Sequence, residues 1–190
     1  MAPKHRITLK DILNISIDIA DKNGLSDITL ANVSKRLGIR SPSLYNHING
    51  LSGLKIELAY QGTKGLYDEM AGAAIGKTGK DAIYSISYAY IGFARNNPGL
   101  YEAISLAVKV DSAKVQDQAD KILKLMITLL KTFPLPEELL IHHVRMLRAF
   151  LHGFVTIERD GGFGIPLDIN ESLQIGLDTI ITGMLGNEKI

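Results

Sequence analysis

Residues 29–48 constrain this chain more than any other segment. They read Thr-Leu-Ala-Asn-Val-Ser-Lys-Arg-Leu-Gly-Ile-Arg-Ser-Pro-Ser-Leu-Tyr-Asn-His-Ile. Val33, Leu37, Ile39, Leu44 and Ile48 are spaced as the apolar seam between two short helices. Thr29 is placed to cap the first helix, because its hydroxyl can accept an orphan backbone N–H. Gly38 ends that helix, since glycine tolerates the left-handed conformation that follows one. Ser41 is the expected cap of the second helix, with Pro42 at its first position, where a missing N–H costs nothing. Ala31 is read as the small residue at which the two helices approach. The outer face of the second helix then holds Pro42, Ser43, Tyr45, Asn46 and His47. These short or planar polar groups are able to approach base edges and phosphates.

The rest of the chain keeps the helical period. Leu9, Ile12, Ile15, Ser16, Ile19 and Ala20 form a stripe, opened by the capping pair Thr8 and Asp11 and stopped at Asn23-Gly24. Further helices are expected from about Gly50 to Ala74, from Thr78 to before Pro98, and from Asn97-Pro98 to Ala107. Others should span 112–133, run from Pro136 to about Arg159, and run from Asn170 to about Leu185. No segment alternates as a strand does. The chain is therefore expected to be all-α. A three-helix N-terminal domain (1–52) should be followed by a roughly six-helix domain (53–190), with the boundary inside a helix and not in a linker.

Composition narrows the function classes. The chain has no Cys, which excludes a disulfide framework and thiolate chemistry and suits a reducing, cytoplasmic location. Its start, Met-Ala-Pro-Lys-His-Arg, leads into no unbroken apolar run of the kind a secretory signal needs. No stretch approaches the about 18 apolar residues of a membrane span. Residues 1–50 carry seven Lys or Arg against four Asp, a basic first quarter joined to a slightly acidic remainder. That asymmetry points to a polyanion at the N-terminal end. Gly72 to Thr78 has one residue too few for a phosphate loop and no preceding strand. His142 and His143 are adjacent and diverge on a helix, and no spacing suits a metal or a nucleophile elbow. No metal, cofactor or catalytic residue is expected.

Residues 10–59 resemble the DNA-binding domain of the TetR family of bacterial regulators. The resemblance rests on Ile12 through Gly24, then Thr29, Val33, Leu37, Gly38, Ile39, Ser43, Leu44, Tyr45, His47 and Leu54. The Leu-Tyr-x-His string after Gly-Ile is its most specific part. It implies that the second helix of the pair is a recognition helix for the major groove of double-stranded DNA, and that Thr29 meets a phosphate. The expected DNA-facing set is Thr29, Arg40, Ser41, Pro42, Ser43, Tyr45, Asn46, His47 and Lys55. Leu51 departs from the family, which has a phosphate-binding Lys nearby; Lys55, one turn on, is the candidate substitute. The stretch from Arg145 to Asp168 also resembles a TetR C-terminal subclass named for a Trp-His-Gly signature. His152-Gly153 stands here without the Trp.

One recognition helix reads few base pairs, so a homodimer is expected. Leu140, Val144, Leu147, Leu151 and Phe154, with Leu173, Leu177, Ile180, Ile181 and Met184, offer two stripes for a four-helix interface. Tyr60, Tyr67, Tyr84, Tyr88, Tyr90, Tyr101, Phe93 and Met126 could line a pocket for an unidentified small hydrophobic effector, or simply pack as core. The resulting expectation is a ligand-responsive repressor that is not an enzyme. The alternative is an all-helical small-molecule-binding protein or enzyme whose N-terminal bundle is structural.

Overall fold

A computed structural model describes residues 7–107 and 112–185. Its elements are all helical: α1 Leu9–Asn23, α2 Leu30–Leu37, α3 Gly50–Ala74, α4 Gly79–Asn96, α5 Pro98–Ala107, α6 Ala113–Leu130, α7 Leu140–Arg159 and α8 Ile169–Leu185. Short 3-10 turns occupy Leu25–Asp27, Ser41–Asn46 and Glu137–Leu139. Local chemistry sets the limits of the first two helices. Thr8 Oγ1 accepts from Asp11 N while the Asp11 carboxylate accepts from Thr8 N at 2.8 Å, a reciprocal box that starts α1. Thr29 Oγ1 accepts from Asn32 N at 3.0 Å and starts α2. Gly38, at φ 67°, ends α2 in the left-handed conformation.

The chain packs as two compact units, and the division falls inside α3 and α6. The first holds the described residues of Met1–Gly65 and Asn97–Gln118. It thus extends along α3 past the 1–52 division read from sequence, and it takes in α5. Its core is Ile12, Ile19, Ile28, Val33, Leu44, Leu54 and Leu58, all nearly solvent-free, with Ala103 of α5 among them. Helix α5 is fastened to the end of α1 and to the 3-10 turn that follows it. Asp21 Oδ1 accepts from Gly99 N at 2.8 Å, and Glu102 Oε2 accepts from Leu25 N at 3.2 Å. Each carboxylate meets N–H groups at the start of a helical segment, where negative charge is favoured.

The second unit, Leu66–Asn96 with the described part of Ala119–Ile190, is built on α4. Helices α7 and α8 pack on it and on each other. The Leu140, Val144, Leu147, Leu151 and Phe154 stripe is buried here within the protomer, as are Leu173, Leu177, Ile181 and Met184. These stripes therefore fill the chain's own core, with Ile180 half-buried at its edge, and are not free to form the four-helix interface expected of them. A stripe at helical spacing shows that a face is buried without showing by what. Tyr90, Phe93 and Met126 are likewise core residues. Arg95 closes one end of the unit: Nε and Nη2 hold Glu158 at 2.9 and 2.8 Å, and Nη1 donates to Asn170 Oδ1 at 2.9 Å. No helix among the described residues is long and apolar enough to cross a membrane.

Candidate nucleic-acid interface

The expected recognition helix forms as a 3-10 segment over Ser41–Asn46. Its bonds run from Ser43 N to Arg40 O at 2.9 Å and from His47 N to Leu44 O at 2.9 Å. Pro42 has no N–H to give, and the six-residue run is long for this tighter helix, which seldom exceeds about four residues. Three residues per turn place Ser41 and Leu44 on the inward side. Leu44 is fully buried, and Ile48 anchors the exit in the same core cluster as Val33 and Ile12. Pro42, Ser43, Tyr45, Asn46 and His47 are all exposed, with Tyr45 61% accessible despite its size. Pro42 and Tyr45 share one outer row, and Ser43 and Asn46 the next. Arg40 and Thr29 are exposed as well.

Two expectations at the turn change. Ser41 is not the cap: the capping position is Arg40, which makes no side-chain cap bond. Ser41 is half-buried instead, with Oγ 2.8 Å from Ser34 Oγ. Ala31 is exposed, and the small buried residue of α2 is Ser34. Both are small, so size could not distinguish them. The two lie about 60° apart around α2, and that difference in phase decides which lies against the following segment.

Leu51 is half-buried against the first unit's core, which accounts for an apolar residue where a phosphate-binding Lys was expected. Lys55 is half-buried one turn further along α3. The basic arm with Lys4 and Arg6 lies outside the described residues. The remaining charge is partly spent internally. Asp18 binds Lys22 at 2.6 Å and also pairs with Arg36, tying α1 to α2. The hydrogen bond from Lys22, together with the charge of Arg36, holds the Asp18 carboxyl below its ordinary value. Sequence counting could not reveal that pairing, because Arg36 and Asp18 meet only once α2 is packed.

Two depressions flank His47. An open groove of about 1020 Å³ has Ile7, Ile15, Leu37 and Ile39 as its apolar lining, with Ser43, Asn46 and His47 along one side. A smaller polar cleft of about 280 Å³ is lined by His47, Asn49, Gly53, Glu57 and Lys114. Lys114, contributed by α6, pairs with Glu57, and its ammonium lies 5.1 Å over the Tyr60 ring. Nothing in the local sequence joins Lys114 to His47. Elsewhere, Lys77 of the rejected phosphate-loop string donates to Ser85 Oγ at 2.7 Å. No cluster of metal-ligating side chains occurs among the described residues.

Comparison with known proteins agrees with this architecture. Residues 83–180 match the tetracyclin repressor-like C-terminal domain family. The chain is 39% identical over 190 residues to YobS of Bacillus subtilis, an uncharacterized HTH-type transcriptional regulator, covering 100% of this chain and 98% of that protein. Its fold is similar to a protein of unknown function from Rhodococcus sp. RHA1, with TM-score 0.84, 16% identity and coverage of 97% of this chain and 100% of that one. It is also similar to BioQ, solved with its double-stranded DNA operator, with TM-score 0.70, 14% identity and coverage of 95% and 99%. On its helix-turn-helix, its C-terminal domain and its full-length relative, the chain belongs to the TetR family of helix-turn-helix transcriptional regulators.

Proposed function

We propose that the protein is a ligand-responsive repressor that binds an inverted-repeat operator as a homodimer in the cytoplasm. The observation that carries this reading is the division of labour in the turn and the 3-10 segment. Leu44 and Ile48 anchor it, while Pro42, Ser43, Tyr45, Asn46 and His47 all remain exposed beyond a left-handed glycine. Tyr45, Asn46 and His47 would read base edges, with Pro42 and Ser43 against the groove wall. Thr29, Arg40 and Lys55 would meet phosphates.

Dimerisation would use the outer faces of α7 and α8. Met146, Ile157 and Ile175 are large apolar side chains left 40%, 47% and 60% exposed there. Small residues beside them, Ala149, Thr179 and Gly183, would let a second copy approach closely. The C-terminal half would belong to the Trp-His-Gly subclass, with the Trp of that signature missing. Its support is His152-Gly153-Phe154, where the Phe154 ring packs at 5.0 Å on Phe163 of the Gly-rich loop. A small hydrophobic effector would bind among the helices of the second unit and bias the spacing of the two reading heads.

Selection of bound fragments from random duplex DNA, with particle mass measured alongside, tests this. An inverted repeat recovered by a dimer, with affinity falling steeply as salt rises, is the expected outcome. Recovery of no preferred sequence would remove the reading.

A further inference from the structure

Ser34 is a polar side chain only 4% exposed, at the junction of α2 and the turn. Its Oγ donates to the Ala31 carbonyl at 3.0 Å and also lies 2.8 Å from Ser41 Oγ. A hydroxyl has one hydrogen. With that of Ser34 committed to Ala31, the hydrogen between the two serines must come from Ser41. The bonds therefore run in one direction, from Ser41 to Ser34 to the α2 backbone.

Phosphate oxygens only accept, so a serine that reaches a phosphate must donate. Ser41 has already given its hydrogen to the fold. We infer that Ser41 is not a phosphate contact but a positioning residue: its bond to Ser34 pins the first residue of the 3-10 segment to α2. This rests on the DNA-reading function proposed above. The segment has no side-chain cap at Arg40, so its start is held by this polar bond and its middle by Leu44. Two fastenings one 3-10 turn apart set the rotation of the segment about its axis. That rotation decides where Tyr45 and Asn46 point.

The test is a double-mutant cycle of Ser34→Ala and Ser41→Ala, read on two duplexes and in urea. The probes are the duplex recovered by selection and a mixed-sequence duplex of equal length. Each single variant is expected to raise Kd for the recovered duplex about fivefold, and the double variant no further, because all three lack the same bond. Binding to the mixed-sequence duplex should stay within about twofold, since no phosphate contact is lost. Ser41→Thr, which keeps the hydroxyl, should restore affinity. Additive losses, or equal weakening on both duplexes by Ser41→Ala alone, would assign Ser41 to phosphate and overturn the inference. If the unaltered protein prefers no duplex, the regulator reading fails, and the urea cycle then decides the pin: non-additive stability losses support it and additive ones overturn it.

Discussion

Gly99 of α5 lies so close to Ala20 of α1 that a Cβ on the glycine would sit 2.4 Å from the alanine Cβ and 2.8 Å from its carbonyl carbon. Two helix backbones are in near contact there, and neither can give way without moving its helix. Gly62 makes a similar approach, with its added Cβ 2.5 Å from the Leu100 carbonyl oxygen. Helix α5 is thus wedged between α1 and α3 within the first unit. Gly99→Ala should lower stability by about 2 kcal/mol, because a backbone must shift to admit the methyl. It should also break the bond from Gly99 N to Asp21. Urea unfolding measures the loss, and a stability within about 0.5 kcal/mol of the parent would show that the contact is looser than described.

Tyr45 and Asn46 are exposed and contribute nothing to the core. Replacing both with Ala should leave unfolding unchanged within about 0.5 kcal/mol while abolishing preference for one duplex over another. A gel-shift titration against recovered and mixed-sequence duplexes checks this. Retained preference would move the reading surface elsewhere.

Met146 and Ile175 lie on the faces that α7 and α8 turn away from their own core. Met146→Glu combined with Ile175→Glu should give a folded monomer, because charges buried at a dimer seam would be unpaired. Light scattering after gel filtration reads the mass, and far-ultraviolet dichroism the helix content. An unchanged dimer mass would show that another surface makes the contact.

Tyr84 of α4 donates to the Asp178 carboxylate of α8, which also accepts from Gln174 Nε2 at 2.7 Å. The Asp178 bond, with some burial, raises the Tyr84 hydroxyl to about 12. Its contribution is complete below the ordinary value of 10.0 and disappears as pH rises through the folded value. Tyr84→Phe should cost about 1 kcal/mol at neutral pH, since water can partly replace the lost donor at a half-buried carboxylate. A change below about 0.3 kcal/mol in the unfolding free energy from urea titration would show that the bond is not made in solution.

His143 is buried on the inner face of α7, and burial, with the neighbouring His142, depresses its imidazole below 6.5. The unfolded chain binds that proton more readily than the folded one. Stability from this group is therefore present above 6.5 and declines as pH falls through that value. Urea midpoints at about pH 7.5 and about pH 5.5 should differ more for the parent than for His143→Leu. Equal differences would place the pH dependence on another histidine.

Helix ends were the most legible part of this protein, because their causes are local. Thr8 with Asp11, Thr29 with Asn32 and Gly38 each act within a few residues, and the structure holds them as read. The Tyr45 face was legible for a related reason: burying Leu44 and Ile48 leaves few directions for the side chains between them. Tertiary structure alone decided three things. It placed Ser34 rather than Ala31 against the turn, and it paired Arg36 with Asp18. It also turned the Leu140 and Leu173 stripes into the protomer's own core. Sequence by itself determined which segments are helical and which faces are apolar, since propensity, caps and periodicity are properties of neighbouring residues. Which surfaces meet depends on how helices rotate and cross when the whole core is filled, and that packing optimum is shared among residues far apart in the chain.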